Sequence, residues 1–324
     1  MLLLFDEILS YLHCRGNIMN QVILAGAGGF IGNALIRELY SKNILVSAIS
    51  RSYQLKLDSF LPERLNIITA NLAALPLNLS IFNHPSLVVY MAGSTNLSLA
   101  EQNPVEDFKQ HSNSLLALLS KINSEHRFLF LSSGGAVYGE PLNKRSSESD
   151  PLRPQSVYGS RNKILEEIVL SVCKQKNIDH MILRLANPFG LEQQRLRRKG
   201  LILSLMQSCL DNNSIKIRGN GEQKRDYFLA KDLCSFISLF ANPKQDFPHS
   251  ILNIGSGQSY SARQVVSLVT AFMNKAPNVE YQETNYPSDI MCSALNVSRL
   301  TSFLKTKIVL YSLPKKMPIS AFIW

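Results

Sequence analysis

Residues 21–32 read Gln-Val-Ile-Leu-Ala-Gly-Ala-Gly-Gly-Phe-Ile-Gly, an apolar run that ends in a glycine-rich turn. The first five of these residues predict a buried strand. Residues 30–40 overlap the end of this stretch and predict a helix, because their apolar side chains recur on one helical face. A strand, a glycine-rich turn and a helix in this order are typical of the first unit of an α/β fold that binds a dinucleotide.

The glycines of this turn have different structural roles. Gly26 permits the tight turn, Gly29 lets the backbone approach a pyrophosphate, and Gly32 lets the helix pack close to the sheet. The predicted helix begins at Phe30. The unpaired N–H groups of Phe30 and Ile31 and the positive end of the helix dipole would face the phosphates. A plain strand–helix turn is the alternative, but it would not need three glycines at this spacing. We therefore predict a dinucleotide site here.

Apolar runs and helical patterns alternate through the first half of the chain. Continuous apolar runs between helices indicate a parallel sheet that is covered on both faces. The further predicted strands and the predicted helices lie at residues 44–49, 65–69, 87–91, 127–132 and 180–185, and at 105–122 and 157–175. The sequence thus predicts an α/β fold with a Rossmann-like, doubly wound parallel sheet.

The pattern changes after Pro188, where short strands and helices mix. This mixture predicts a smaller α+β lobe. The expected organisation is an N-terminal extension at 1–18, a dinucleotide-binding domain at 19–190 and a substrate-binding lobe at 191–324.

Composition and charge exclude several classes of protein. The 324 residues are 45% hydrophobic and 18% charged, as in ordinary globular proteins, and no apolar run reaches the roughly 18 residues of a membrane span. The five cysteines are scattered without a Cys-x-x-Cys pair, so we predict no metal site and a cytoplasmic location. The net charge of +10 has no nucleic-acid recognition motif with it, which favours a small anionic partner over nucleic acid.

The spacing of Gly26, Gly29 and Gly32 resembles that of the extended short-chain dehydrogenases/reductases, the NAD-dependent epimerase/dehydratase family. The resemblance extends along most of residues 21–300. It implies a Rossmann-like domain that binds NAD and a smaller lobe that binds a nucleotide sugar. It also implies that the chain passes between the two lobes more than once.

The resemblance assigns further residues to the cofactor. Asn71 and Leu72 would lie beside the adenine, and Ala92 and Gly93 would line the cofactor after the fourth strand. The second strand ends without the carboxylate that would bind the adenosine ribose. Arg51 in this place could hold a 2′-phosphate, or it could stack near the adenine. The resemblance implies NAD, and Arg51 makes NADP the alternative.

Residues 132–139, Ser-Ser-Gly-Gly-Ala-Val-Tyr-Gly, are similar to the family motif that carries a substrate-orienting hydroxyl. The usual hydroxyl position falls on Gly134, so the hydroxyl is missing there. Ser133 is expected to supply it, and Ser132 is the weaker candidate. Tyr138 is expected to have a structural role in this motif.

Residues 154–159, Pro-Gln-Ser-Val-Tyr-Gly, match the family pattern Pro-x-Ser-x-Tyr-Gly and make Tyr158 the expected catalytic base and acid. A free tyrosine loses its proton only near about pH 10, so a tyrosine base needs a positive charge nearby. The family supplies a lysine four residues later, but here the fourth residue is Asn162 and the fifth is Lys163. Either Asn162 has replaced the lysine, or one residue is inserted and Lys163 keeps the role. The family-like run Lys-Ile-Leu-Glu-Glu from Lys163 onward favours the insertion.

Two residues, Asn187 and Arg225, match family positions that bind the substrate diphosphate. Asn187 lies in Arg-Leu-Ala-Asn-Pro-Phe-Gly, and Arg225 begins Arg-Asp-Tyr, where a guanidinium fork would suit phosphate oxygens. The basic cluster at residues 195–199 could line the path of an anionic nucleotide sugar.

The resemblance implies a nucleotide-sugar 4-epimerase that uses bound NAD. An NADPH-dependent 4-keto-sugar reductase is the alternative that Arg51 favours. A non-catalytic dinucleotide-binding scaffold is a further alternative, because Asn162 and Gly134 depart from the family pattern. The resemblance also implies a homodimer built on the predicted helices 105–122 and 157–175.

Overall fold

The computed structural model describes residues 21–52, 63–76, 78–93, 97–190, 193, 200–282 and 290–304. Its strands, in chain order, are β1 (Gln21–Ala25), β2 (Leu45–Ser50), β3 (Leu65–Thr69), β4 (Leu87–Tyr90), β5 (Arg127–Ser133), β6 (Asp179–Leu185), β7 (Asn187–Phe189), β8 (Ser214–Arg218), β9 (Lys224–Leu229), β10 (Ile251–Ile254), β11 (Ser259–Ser261), β12 (Asn278–Gln282) and β13 (Cys292–Ser293). Its α-helices are α1 (Phe30–Ser41), α2 (Leu97–Gln102), α3 (Pro104–Lys121), α4 (Gly134–Val137), α5 (Val157–Lys176), α6 (Leu201–Asp211), α7 (Ala230–Leu239), α8 (Ala262–Met273) and α9 (Ser298–Phe303).

Seven of these strands form one parallel sheet in the order β10-β6-β5-β4-β1-β2-β3. Strand β1 pairs in parallel with β2 on one side and with β4 on the other. Strands β1 and β4 are buried along their whole length, which explains why their sequences are continuous apolar runs rather than alternating patterns. The sheet and its flanking helices confirm the predicted Rossmann-like, doubly wound fold.

Successive strands are added to the sheet in opposite directions on the two sides of the β1–β4 pair. Strands β2 and β3 extend the sheet on one side of β1, whereas β4, β5 and β6 extend it on the other. Such a reversal leaves a crevice at the carboxyl ends of the two central strands, and ligands of open α/β sheets bind there. Gly26 follows β1 and Met91 follows β4, so the loops that carry them begin at this crevice.

The chain divides into two compact units, each assembled from three stretches. The first unit takes the chain up to Ser132, Arg161–Leu183 and Cys234–Ser250, and the second takes Ser133–Ser160, Arg184–Leu233 and the chain from Ile251 onward. The expected boundary at residue 190 is a single cut, whereas this division makes the chain cross between units five times.

The second unit has its own small sheets and its own core. Strand β9 pairs with β7, β11 and β13, and β8 pairs in parallel with β12. Apolar side chains of α6 and α8 form part of a buried cluster that includes Ile202, Leu205, Val265 and Val269. This packing positions β7 and β9, which carry two of the predicted substrate residues.

Asp226 on β9 is a buried carboxylate that holds a turn of the second unit. Its Oδ1 accepts hydrogen bonds from the backbone N–H and the hydroxyl of Ser256 at 2.9 and 2.7 Å, and its Oδ2 accepts the N–H of Gly257 at 3.0 Å. A Cβ at Gly255 would lie only 2.6 Å from Oδ2, so the turn has no room for a side chain there. Burial raises the pKa of Asp226 to about 6, although these hydrogen bonds oppose the shift.

Replacing Asp226 by asparagine is expected to lower the free energy of unfolding at neutral pH by about 2 kcal/mol. The amide would turn a donor toward the N–H groups that the carboxylate now accepts. The wild-type carboxyl also binds its proton more tightly in the folded state than in the unfolded chain. Wild-type stability should therefore fall as pH rises from about 4 to about 6, a step that D226N lacks. Urea unfolding of both proteins across this range measures both effects.

The exposed Asp246 offers a matched control for this substitution. Asp246→Asn should change the free energy of unfolding by less than about 0.5 kcal/mol. A D226N protein that is as stable as wild type and keeps the same pH profile would contradict the role of Asp226.

Candidate functional site

The glycine-rich turn is held tightly against its neighbours at two of its glycines. The N–H groups of Gly26 and Ala27 donate to Ile49 O on β2 at 2.9 and 3.0 Å. Gly26 has a φ of +89°, and a Cβ there would lie 2.6 Å from the Ala92 backbone. A Cβ at Gly32 would overlap the carbonyl oxygen of Ala27. Both glycines are therefore required by the packing of the turn itself.

Gly29 differs, because protein packing does not require it to be glycine. Its φ of −82° suits any residue, and a Cβ there would meet nothing closer than Gly26 O at 4.0 Å. Gly29 is the N-cap of α1 and provides no side-chain cap for the first helical N–H groups, which begin at Phe30 and Ile31. Open space before an uncapped helix N-terminus fits the pyrophosphate of a dinucleotide. The residues present therefore suit such a cofactor.

The second strand brings Arg51 to the same turn. A Cβ at Gly28 would overlap Ser52 O and the Ser50 hydroxyl, so the end of β2 packs directly on the turn. The Ser50 hydroxyl donates to Ser52 O at 2.9 Å, which fixes this bend, and Arg51 itself is exposed. An exposed guanidinium beside the turn is available for a phosphate or an adenine ring.

The remaining predicted cofactor residues follow β3 and β4 in the first unit. Asn71 caps the short 3-10 helix that starts at Leu72, because its side chain accepts the N–H of Ala73 at 3.2 Å. Leu72 is buried, Ala92 is half-buried and Gly93 is exposed. The first unit thus places the glycine turn, Arg51, Asn71 and Gly93 after the carboxyl ends of four adjacent strands.

The three residues of the hydroxyl motif have different environments. The Ser132 hydroxyl is buried and donates to Glu166 Oε1, so it is engaged inside the first unit. Ser133 is half-buried at the N-cap of α4, and its hydroxyl does not cap that helix. A Cβ at Gly134 would lie 2.8 Å from Leu295 Cδ1, and Leu295 is buried. The missing hydroxyl at Gly134 therefore has a packing reason, and Ser133 is better placed than Ser132 to bind a ligand.

Tyr138 has the environment of a structural residue. Its hydroxyl donates to Asn253 Oδ1 at 2.8 Å and accepts from Arg184 Nη1 at 2.9 Å. Burial raises the pKa of Tyr138 to about 12 in spite of the nearby guanidinium. A tyrosine that holds its proton this tightly is unsuited to act as a base.

Tyr158 lies in the first turn of α5 and is half-buried. The start of the helix is fixed by Ser156, whose hydroxyl accepts the N–H of Gly159 at 3.1 Å and whose carbonyl accepts the N–H of Ser160 at 2.9 Å. A Cβ at Gly159 would lie 2.6 Å from Ala136 O, so this turn packs closely on α4. These contacts fix the backbone that carries Tyr158.

Helix α5 continues without interruption past the two candidate replacements for the lysine. It is α-helical from Val157 to Lys176, so Asn162 lies about one turn after Tyr158. Lys163 lies about 100° farther around the helix. Asn162 is buried and Lys163 is half-buried. The role of Lys163 as the supporting cation stays a prediction.

The predicted diphosphate residues lie on paired strands of the second unit. Asn187 on β7 and Arg225 on β9 are both half-buried, and Asn187 Nδ2 donates to Asp226 O at 3.0 Å. Arg225 Nη1 donates to Lys224 O at 2.9 Å. The basic cluster at 195–199 lies entirely outside the described residues.

Sequence reasoning missed a buried charge cluster in the first unit. Arg161 on α5 pairs with Asp107 on α3, and both contact His111. The available signal was an arginine only three residues after Tyr158. Within the described ranges, no group of three or more His, Cys, Asp or Glu side chains is arranged to hold a metal ion. No described helix is long and apolar enough to cross a membrane.

The sequence and the fold of this chain are similar to those of known enzymes. The family model described as "NAD dependent epimerase/dehydratase family" matches residues 22–255. A putative UDP-glucose 4-epimerase of Methanocaldococcus jannaschii is 27% identical over 77% of this chain and 81% of that protein. A dTDP-4-dehydro-6-deoxyglucose reductase of Escherichia coli is 26% identical over 82% of this chain and 85% of that protein. The Thermus thermophilus UDP-glucose 4-epimerase, solved in complex with NAD, superposes with a TM-score of 0.78 at 21% identity, covering 93% of this chain and 98% of that one.

Proposed function

Because the chain belongs to the NAD-dependent epimerase/dehydratase family of enzymes, we propose that it is a nucleotide-sugar 4-epimerase that uses bound NAD. The observation that carries this proposal is the fixed position of Tyr158 in the first turn of α5. Ser156 caps that turn, and Gly159 packs on α4. Epimerases of UDP-glucose among the relatives support the choice of reaction.

The proposed chemistry assigns one role to each side chain. NAD, when bound, supplies the acceptor for a hydride. Tyr158 takes the proton of the sugar 4-hydroxyl while the C4 hydrogen leaves as hydride, so the alcohol becomes a ketone. Ser133 donates a hydrogen bond that orients the same oxygen. Tyr158 would return the proton to the same oxygen once the keto-sugar has turned over and presents its other face. Lys163 is the sequence-derived candidate for the supporting cation.

The substrate would be held by its diphosphate. Asn187 and Arg225 lie on paired strands, and the guanidinium of Arg225 suits phosphate oxygens. A net charge of +10 also favours an anionic substrate in a reducing cytoplasm. The dinucleotide would rest on the N-terminus of α1, with the pyrophosphate at Gly29.

We also propose that two copies associate through helices α3 and α5. Three apolar side chains of these helices are exposed: Val105 by 79%, Leu116 by 44% and Ile164 by 38%. Association of these faces would remove apolar surface from water.

An NADPH-dependent 4-keto-sugar reductase is the second candidate. Arg51 is exposed beside the glycine turn, and the end of β2 carries no carboxylate. These features suit a 2′-phosphate, and a relative in Escherichia coli is a dTDP-4-dehydro-6-deoxyglucose reductase.

The decisive experiment incubates the purified protein with UDP-glucose, UDP-GlcNAc and dTDP-4-keto-6-deoxyglucose, each with NAD⁺ or with NADPH. Anion-exchange chromatography separates the products. A C4 epimer formed without net cofactor consumption supports the epimerase. Stoichiometric oxidation of NADPH with the keto-sugar establishes the reductase instead. Tight dinucleotide binding without turnover of any of these substrates would overturn both and favour the non-catalytic scaffold.

A further inference from the structure

Strand β13 is a very short element beside one of the proposed substrate residues. Its two residues, Cys292 and Ser293, pair in parallel with Lys224 and Arg225 of β9. The N–H of Lys224 donates to Met291 O at 2.8 Å, just before the strand begins. Pairing of this length fixes few backbone groups, so contacts from elsewhere are needed to hold the strand in place.

Glu140 supplies such contacts at the beginning of β13. One of its carboxylate oxygens accepts the N–H of Met291, and the other accepts the N–H of Cys292 at 3.2 Å. The loop that follows Glu140 contacts the next residues as well, because the N–H of Ser146 donates to Ala294 O at 2.9 Å. Hydrogen bonds to a carboxylate are roughly twice as strong as neutral ones. Glu140 therefore fixes the place where β13 begins.

The position of Glu140 is itself fixed by its neighbours in the chain. Glu140 directly follows the hydroxyl motif, residues 132–139. Gly139 has a φ of +69°, and a Cβ there would overlap the carbonyl oxygen of Arg153. Arg153 Nη2 in turn donates to Glu140 O at 3.2 Å. The turn that carries Glu140 thus has a defined backbone from which the carboxylate reaches β13.

Strand β13 lies on the side of β9 where the guanidinium of Arg225 is held. Within a strand, the N–H and the C=O of one residue point to the same side. The N–H of Lys224 points to Met291, so its carbonyl oxygen also lies on the β13 side, and this oxygen accepts Arg225 Nη1 at 2.9 Å. Among the described strands, β11 would be the remaining partner of Lys224 and Arg225 if β13 were displaced, because β7 pairs farther along β9.

We propose that Glu140 is a positioning residue for the substrate diphosphate. Its carboxylate fixes β13, and β13 fixes the edge of β9 at which the guanidinium of Arg225 is held. This inference rests on the proposed function, because Arg225 is the residue proposed there to bind the diphosphate. Glu140, β13 and β9 all belong to the second unit, so the arrangement is complete within that unit.

The test titrates the NAD-loaded protein with UDP and with dTDP, and measures KM and kcat for the sugar nucleotide that wild type converts. Glu140→Ala is expected to raise KM and the dissociation constant of the tighter-binding diphosphate by about 10-fold, because the edge of β9 loses its partner. The kcat should change by less than about 3-fold, since no reacting group is removed. Glu140→Gln keeps one acceptor oxygen, so both constants should rise by only about 3-fold.

A double-mutant cycle with Arg225→Met separates positioning from a general loss of stability. If Glu140 acts through Arg225, E140A should weaken diphosphate binding by less than about 2-fold in the R225M background. A merely structural role would reduce the amount of folded protein and leave the affinity of the folded fraction unchanged. Glu222→Ala is the matched control, because it removes an exposed carboxylate of the same unit, whose ion pair with Arg263 is also exposed. E222A should keep the wild-type affinity.

Two results would overturn the inference. One is an E140A protein that binds the diphosphate as tightly as wild type, and the other is an equal loss from E140A with and without the guanidinium of Arg225. NAD titration verifies that each variant is folded, and the cycle is run with E140Q if E140A is not. The diphosphate titrations need no turnover, so a wild type that binds UDP but converts none of the sugars contradicts only the proposed reaction. A wild type that binds neither UDP nor dTDP would overturn both.

Discussion

Tyr158→Phe is expected to lower kcat by at least about 1,000-fold while the protein still folds and binds NAD. Phenylalanine keeps the ring that packs at the start of α5 and removes only the hydroxyl that would transfer the proton. The melting temperature should stay within about 3 °C of wild type, because phenylalanine keeps the half-buried ring and only the hydroxyl is lost. Product formation by anion-exchange chromatography and NADH fluorescence on binding measure the two properties separately.

Tyr138→Phe is the matched control, because it removes the hydroxyl of the other tyrosine in the predicted motifs. That hydroxyl bridges Arg184 and Asn253 in the interior of the second unit. Its loss should cost about 1–3 kcal/mol of stability and leave kcat within a few-fold of wild type. Loss of turnover in Y138F together with full activity in Y158F would reverse the assignment.

The fold could be predicted because its strongest determinants are local in sequence. The expected strand at 44–49 corresponds to β2, Leu45–Ser50, and the expected helix at 157–175 corresponds to α5, Val157–Lys176. Strands that are buried on both faces must be apolar throughout, so they stand out from the helices between them. The family match over residues 22–255 confirms the resemblance that rested on the glycine spacing.

The second unit was harder to predict because its strands are short and pair across long stretches of chain. Strand β13 has only two residues, yet it pairs with β9. A three-residue strand such as β7 gives too short a pattern to distinguish from a loop. Such elements form only because the surrounding core positions them, and that core is not visible in a local window of sequence.

In the candidate site, too, the surroundings of single residues could not be predicted from the local sequence. The missing hydroxyl at Gly134 is visible in the sequence, but its reason, the side chain of Leu295, comes from a distant part of the chain. The pairing of Arg161 with Asp107 joins residues 54 positions apart. Sequence comparison could identify the departure at Asn162, whereas only the packing of α5 on α3 shows which cation is buried nearby.

Gly29→Asp is expected to raise the dissociation constant for NAD by at least about 100-fold without any loss of stability in the cofactor-free protein. A Cβ at Gly29 faces open space, and the backbone there has a φ that aspartate adopts readily. Aspartate is a favoured N-cap and interacts well with the helix dipole, so the free energy of unfolding should stay level or rise by up to about 1 kcal/mol. The same carboxylate would occupy the place of the pyrophosphate and repel its charge. Isothermal titration with NAD and thermal unfolding of the cofactor-free protein measure the two effects.

Two further substitutions separate charge, bulk and packing in this turn. Gly29→Asn adds nearly the same volume without charge, so it should weaken NAD binding less than G29D does, and the difference measures the electrostatic part. Gly32→Ala places a Cβ against the carbonyl of Ala27 and should instead destabilise the fold itself, by about 1–3 kcal/mol. Wild-type affinity for NAD in G29D would show that the dinucleotide does not bind at the N-terminus of α1. Equal losses of stability in G29D and G32A would show that Gly29 serves packing, because open space at that position predicts no such loss.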